Sequence, residues 1–276
     1  MRGISVFTAV LDVSFHNPGN GIDWLVRRFE FIYHDGKEDI LDKFVPREDV
    51  AIVFHFADCP VIVKPPAGYL PRFFVTPLRP AHNVIKVSGV LKTFIAMCKP
   101  TVLSALLGLR MTLADFPFIQ LPKTLFVTLW ESLSVCRSEK EEIECFSAFF
   151  NDIAAPGYVP DYVDAIYDRI ILEGAMASLP RLEEWSGLSE RTLQRQFHKR
   201  AGVAPKALLR IVRINSLWEK IRGGCVPDYQ DLVLEGNYFD QTHFIKDFKS
   251  ITGETPDFFF RRDLDVVKIL SGKVIN

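Results

Sequence analysis

Two nine-residue segments, 51 positions apart, carry the side chains best suited to binding another molecule. Residues 189–197 read SERTLQRQF, and residues 240–248 read DQTHFIKDF. Each segment has two apolar residues four positions apart, which places them on one helix face: Leu193 with Phe197, and Phe244 with Phe248. The other face carries polar residues, namely Arg191, Gln194, Arg195 and His198, then Gln241, Thr242, Lys246 and Lys249. Arginine and glutamine pair with base edges and lysine binds phosphate, so these faces predict contacts with nucleic acid.

Around these segments the sequence predicts two helix-turn-helix units. Ser189 and Asp240 are good N-caps, because their side-chain oxygens can accept the free amide protons of a first helical turn. The same offset relates two helix-ending glycines and two prolines that suit the start of a helix, which are Gly202 and Gly253, and Pro205 and Pro256. Short apolar segments precede the turns, at residues 182–185 and 229–234. Each unit is therefore expected to be a short helix, a turn and a longer helix, with a linker helix over residues 205–221.

These motifs resemble the AraC/XylS family of bacterial transcription regulators, over about residues 160–262. The second unit reads Asp240-Gln-Thr-His-Phe, then Phe248-Lys, then Gly253-Glu-Thr-Pro, where the family has a similar phrase. The first unit reads Ser189-Glu-Arg-Thr-Leu-Gln-Arg-Gln-Phe, and the arginine-bearing stretch Arg210-Ile-Val-Arg lies in the linker helix, as it commonly does in the family. The resemblance implies a cytoplasmic, sequence-specific DNA-binding regulator, with activation of transcription as the expected effect.

The resemblance also implies site residues and partners. The expected DNA-binding residues are Arg191, Gln194, Arg195, Lys199, Arg213, Gln241, Thr242 and Lys246. The candidate partners are operator or promoter DNA, RNA polymerase, a small-molecule effector and a second copy of the chain. Residues 191–213 contain no acid and seven cations, which are Arg191, Arg195, Lys199, Arg200, Lys206, Arg210 and Arg213. The whole chain has a net charge of −1, so phosphate contacts must come from this local run.

Three residues depart from the family's pattern. Glu183 and Val233 stand where the first helix of each unit usually has a small residue, which lets the two helices of a unit approach closely. Because a carboxylate is hard to bury, Glu183 predicts that the first helix is shifted or splayed outward, and that the first unit binds DNA less tightly. Asn237 replaces the turn glycine of the second unit, and asparagine tolerates positive φ better than most residues.

The N-terminal part of the sequence has a different pattern. Up to about residue 90, short β-branched and apolar runs end at turn residues, over 51–56, 61–63, 72–76 and 84–88. Helices are expected over residues 100–107, 123–135, 139–152 and 161–172. The turn residues at 155–157 predict a boundary: residues 1–156 sense a ligand or dimerise, 157–263 bind DNA, and 264–276 form a tail. We expect an α+β multidomain fold, with a β-rich, cupin-like barrel and following helices, then an all-α domain of two helix-turn-helix units.

Catalytic and cofactor chemistry is not expected. The four histidines of the N-terminal part form no HxH or HExxH spacing, and His55 is expected to be a satisfied barrel histidine. The five cysteines are scattered, which disfavours disulfides, a zinc site and a cysteine nucleophile. No apolar run is suited to cross a bilayer as one helix, so no membrane partner is expected. We therefore predict no enzyme activity, no catalytic residue, no metal and no cofactor.

Two other classes of function remain as alternatives. One is a cupin-like metal-dependent enzyme domain fused to a degenerate helix-turn-helix module, which a bound metal would favour. The other is a repair protein fused to this DNA-binding module, which needs an exposed metal-bound cysteine cluster. Salt-dependent and sequence-specific retention on DNA would favour the regulator.

Overall fold

The computed structural model of the chain describes residues 4–7, 11–19, 21–63, 67–112, 118–154, 157–220, 228–261, 264, 267–268 and 271. Within these ranges the strands are β1 Ile4–Phe7, β2 Asp12–His16, β3 Val26–His34, β4 Ile40–Phe44, β5 Val50–His55, β6 Val61–Ile62, β7 Gly68–Tyr69, β8 Phe73–Thr76, β9 Asn83–Val87 and β10 Leu91–Cys98. The α-helices are α1 Pro100–Leu107, α2 Lys123–Ser134, α3 Glu139–Ile153, α4 Tyr162–Glu173, α5 Leu179–Ser186, α6 Glu190–Ala201, α7 Pro205–Lys220, α8 Tyr229–Glu235, α9 Gln241–Thr252 and α10 Pro256–Arg261.

The strands form two antiparallel sheets that face each other. One sheet has the order β1-β2-β3-β10-β5-β8, and the other has the order β4-β9-β6-β7. Apolar side chains of both sheets meet between them, including Val13 and Ile32 from the larger sheet and Ile40 and Val87 from the smaller one. The predicted combination of a β-rich N-terminal domain, following helices and an all-α C-terminal part is confirmed.

Strand β10 is central in the larger sheet, although its sequence was not predicted as a strand. It pairs with β3 on one side and with β5 on the other. Phe94 packs in the apolar cluster on the helical side of the sheet, and Met97 packs in a cluster on the opposite side. Because both faces of β10 are covered, its residues show no alternation of apolar and polar types that would identify a strand.

The helices that follow β10 cover the outer face of the larger sheet with aromatic side chains. Phe146 and Phe150 of α3 lie with their ring centroids 4.5 Å apart, and the Phe146 ring lies 5.5 Å from the ring of Phe94. The predicted end of α1 is confirmed, since Gly108 has a φ of 63° in the left-handed region. Many of the 23 phenylalanines of the chain therefore pack in this layer.

The same apolar cluster continues beyond residue 156 into the C-terminal helices. It contains Phe94 and Phe146 together with Ile166 of α4, Phe197 of α6 and Leu208 of α7. The second helix-turn-helix unit has a separate cluster, which includes Trp218, Phe244, Phe248 and Phe259. Ala155 and Pro156, where the domain boundary is predicted, lie outside the described residues, and the boundary stays a prediction.

The smaller sheet and its loops hold the end of helix α9. The His82 amide donates to the Ile251 carbonyl at 2.9 Å, and Lys43 Nζ lies 2.5 Å from Glu254 Oε1. Gly253 ends α9 with a φ of 82°, and a Cβ added there would clash with the ring of His82. Gly253 is therefore required twice, for its backbone conformation and for the close approach of the histidine.

We expect Gly253→Ala to lower the free energy of unfolding more than Gly187→Ala does. Both residues have positive φ, but a Cβ at Gly187 would meet no atom within 4 Å. Gly187→Ala should cost about 1–2 kcal/mol from backbone strain. The steric clash should add about 1–3 kcal/mol at Gly253. The measurement is urea unfolding of the full chain. When His82→Ala is combined with each glycine variant, the two variants should lose similar amounts of the free energy of unfolding, because the ring that clashes is gone. Equal losses would contradict this packing of α9 against the N-terminal part.

Candidate nucleic-acid interface

The first helix-turn-helix unit consists of α5, a turn and α6. Gly187 makes the turn with a φ of 68°, and Ser189 Oγ accepts the Thr192 amide proton at 3.4 Å. Leu193 and Phe197 are fully buried beneath α6. The predicted N-cap, turn and apolar face of this unit are all confirmed, so the orientation of α6 about its axis is determined.

The outer face of α6 is polar and accessible to solvent. Four of the predicted DNA-binding residues are exposed on it, which are Arg191, Gln194, Arg195 and Lys199. Gln194 Nε2 donates to Glu190 Oε1 at 2.9 Å, one helical turn earlier. Arg191, Arg195 and Lys199 lie four residues apart and therefore form one row along the helix.

The second unit repeats this arrangement with α8, a turn and α9. Asn237 has a φ of 51°, so it takes the left-handed conformation predicted for it. Asp240 Oδ1 accepts the His243 amide proton at 2.7 Å, and Phe244 and Phe248 are fully buried. Helix α7 carries both units, since α6 and α9 each pack against it.

The outer face of α9 is likewise exposed. It carries the three remaining predicted base-contacting residues, which are Gln241, Thr242 and Lys246. Gln241 and Thr242 lie in the first turn of the helix, and Lys246 lies about one turn later. The two units therefore present similar surfaces, which are rich in amide, hydroxyl and cationic groups.

Two cations of the run at residues 191–213, Arg200 and Arg210, are paired with acids within the protein, which corrects the expectation that the whole run faces phosphate. Arg200 pairs with Asp161 and Asp164 of the α4 region, at 2.5 and 3.2 Å. Arg210 pairs with Asp247 of α9 and donates to Ser250 Oγ. Arg213 is half-buried, with Cζ 5.0 Å from the centre of the Tyr238 ring.

Glu183 has a structural role that the sequence pattern did not reveal. It is half-buried, and its Oε1 accepts the Glu190 amide proton at 2.6 Å. The carboxylate thus binds a free N–H at the start of α6, where the helix dipole also favours a negative charge. Leu182 beside it is buried in the main core, so α5 packs through its apolar face and points Glu183 toward α6.

Only one of the two ring nitrogens of His55 has a hydrogen-bond partner. Its Nδ1 lies 2.8 Å from Thr93 Oγ1, whereas Nε2 is buried and has no hydrogen-bond partner. Burial lowers the pKa of His55 to about 4, so the ring is neutral at neutral pH. The prediction of a satisfied barrel histidine is therefore wrong for one of its two nitrogens.

Within the described ranges, no group of three or more His, Cys, Asp or Glu side chains is arranged to hold a metal ion. Burial raises the pKa of the thiols of Cys59 and Cys98, which makes them weaker nucleophiles. No helix of the described part of the chain combines the length and apolar character needed to cross a membrane.

Comparisons with known proteins give one family match. Residues 184–262 match a protein-family model described as "Helix-turn-helix domain". No curated protein matches the sequence. Among solved structures, ToxT from Vibrio cholerae is similar at 11% identity and a TM-score of 0.43, over 84% of this chain and 97% of that chain. Unsaturated fatty acid bound ToxT from strain SCE256 is similar at 12% identity and a TM-score of 0.46, over 84% of this chain and 94% of that chain.

Adjacent cations at the end of α6 should behave differently when they are replaced. Arg200→Met should lower the free energy of unfolding by about 3 kcal/mol, because it leaves the buried carboxylate of Asp164 without its cationic partner. Lys199→Met should change the free energy of unfolding by less than about 0.5 kcal/mol. It should also reduce the slope of log DNA affinity against log salt concentration by about 1, the value for one lost phosphate contact. Urea unfolding and DNA binding at several salt concentrations measure the two effects. A loss of stability in Lys199→Met would contradict the assignment.

Proposed function

We propose that the protein is a sequence-specific regulator of transcription, with activation as its expected effect, because residues 184–262 match a helix-turn-helix domain of the AraC type. The observation that carries the proposal is the pair of capped helices, α6 and α9, whose outer faces are polar and exposed while their inner faces are fully buried. Such helices are suited to enter successive major grooves of double-stranded DNA.

The proposed contacts divide into two classes. Arg191, Gln194 and Arg195 of α6 read base edges in one major groove. Gln241, Thr242 and Lys246 of α9 read base edges in the next. Lys199 contacts phosphate at the exposed end of the row on α6, and Arg213 contacts phosphate from its half-buried position beside Tyr238. Phosphate contacts of this kind position the protein, whereas the base contacts select the sequence.

The competing proposal is a metal-dependent enzyme with a degenerate helix-turn-helix module. Both units retain their N-caps, their left-handed turn residues and their buried apolar pairs. A degenerate module would be expected to lack some of these features, and the loss of each one lowers the stability of the unit. Their retention favours a working DNA-binding domain, and hence the regulator.

Selection of bound sequences from random DNA is the direct test of the proposed function. On the selected operator, Arg195→Ala should lower affinity by about 1–3 kcal/mol and relax the preference at one base position, because a bidentate contact with guanine is lost. Arg137→Ala is the matched control, since Arg137 is exposed in the N-terminal part, far along the chain from α6. If no DNA sequence is enriched, the proposed function is wrong. If Arg195→Ala keeps the base preference of the wild type, the proposed contact between Arg195 and guanine is wrong.

We further propose that the N-terminal domain senses a small, largely apolar effector in the cavity between its sheets. The cavity has a volume of about 100 Å³ and is lined mainly by apolar side chains, among them Val53, Phe74, Ile85 and Ile95. His55 and Thr93 also line it. The buried, unpartnered Nε2 of His55 supports a ligand with one hydrogen-bonding group, because an unpaired polar atom in such a site is costly.

Phenol and toluene form a matched pair of probes for this cavity. Phenol carries one hydroxyl where toluene carries a methyl group, so the two differ mainly in their ability to form a hydrogen bond. In thermal-shift measurements, phenol should raise the melting temperature more than toluene does at equal concentration. His55→Leu keeps a similar side-chain volume and should abolish that difference. If phenol and toluene stabilise the protein equally, or if His55→Leu keeps the preference for phenol, His55 is not the polar contact.

A further inference from the structure

The segment between the left-handed turn residue and the N-cap is one residue longer in the second helix-turn-helix unit than in the first. In the first unit, a single residue, Leu188, separates the left-handed turn residue Gly187 from the N-cap Ser189. In the second, two residues, Tyr238 and Phe239, separate Asn237 from the N-cap Asp240. Leu188 packs against the main core, and Tyr238 packs in the core of the second unit. Tyr238 is thus the counterpart of Leu188, and Phe239 is the additional residue.

The residues on both sides of Phe239 are held in place. The hydroxyl of Tyr238 donates to Asp247 Oδ2 at 2.9 Å, and the Tyr238 side chain is only 7% exposed. Asp240 has an extended backbone and caps α9 through its side chain. Phe239 lies between these two fixed residues, and unlike Tyr238 its side chain is exposed to solvent.

Phe239 is 92% exposed, the highest value among the large apolar side chains of the described residues. Single apolar residues are common on protein surfaces. This one, however, directly precedes the N-cap of a recognition helix, two and three residues before the exposed Gln241 and Thr242 that are proposed to read bases. Its position is continuous with the proposed DNA interface, and in the free protein it buries almost none of its ring.

We propose that Phe239 is a specificity-determining residue that packs on the 5-methyl group of a thymine in the major groove read by α9. This inference rests on the proposed function and adds an apolar contact to it. The thymine methyl is the apolar group that base pairs display in the major groove, and phenylalanine is among the side chains that contact it. Gln241 has no apolar end group, and the Phe239 ring offers a larger apolar surface than the single methyl group of Thr242, which is also of the type that contacts thymine. Phe239 therefore adds a preference for thymine at one position.

Replacement of thymine by deoxyuracil in the selected operator tests the contact, since it removes only the methyl group. Wild-type protein should bind roughly fourfold more weakly when one particular thymine is replaced, the equivalent of one methyl group left in water. Phe239→Ala should bind the thymine operator more weakly by a similar factor and should be indifferent to deoxyuracil at that position. Tyr69→Ala is the control, because Tyr69 is 78% exposed in the N-terminal domain. Melting temperatures should match that of the wild type in both variants.

Three outcomes would overturn the inference. If Phe239→Ala binds the thymine operator as tightly as the wild type does, the ring has no role in binding. If Phe239→Ala has lower affinity by the same factor but still distinguishes thymine from deoxyuracil at every position, the ring contacts the sugar–phosphate backbone instead. Wild-type protein that selects no sequence overturns the proposed function and this contact together, whereas the first two outcomes leave the proposed function intact.

Discussion

The guanidinium of Arg200 connects the first recognition helix to the rest of the molecule. It lies in the last turn of α6, pairs with Asp161 and Asp164, and donates to the carbonyl of Thr101 in α1 at 2.6 and 2.9 Å. Asp161 is at the same time the N-cap of α4. A single side chain thus joins three helices, and α1 follows directly from the central strand β10. The orientation of α6 therefore depends on the N-terminal sheets, and the half-buried charges hold it because none of them can be left unpaired without cost.

The second recognition helix is held at the same end by different means. The smaller sheet supplies Lys43, at the end of β4, and His82, directly before β9. Strands β4 and β9 also line the cavity between the sheets, through Phe44, Asn83, Ile85 and Val87. The strands that would contact an effector are therefore the strands that hold the end of α9. In both units the N-terminal half of the recognition helix stays exposed, so these contacts at the other end leave the side chains that are proposed to bind DNA accessible.

The departures from the family pattern are accommodated by local chemistry. The half-buried carboxylate of Glu183 is stabilised because it accepts the Glu190 amide proton, which has no partner within α6. Asn237 adopts the positive φ that its turn requires, at less cost than a β-branched residue would pay. A helix-turn-helix unit therefore depends on the cap, the left-handed turn and the buried apolar pair, more than on one small residue in its first helix.

The sequence by itself determined the features that depend on neighbours within a few positions. The caps at Ser189 and Asp240, the left-handed turns and the buried apolar pairs involve residues at most four apart, so their spacing predicts them. The tertiary structure decided which cations remain free, because Arg200 and Arg210 meet acids 39 and 37 positions away. It also decided that β10 is a strand and that one apolar core spans the predicted boundary. Those outcomes follow from distances through space and from coverage on both faces, which a linear pattern of residue types does not contain.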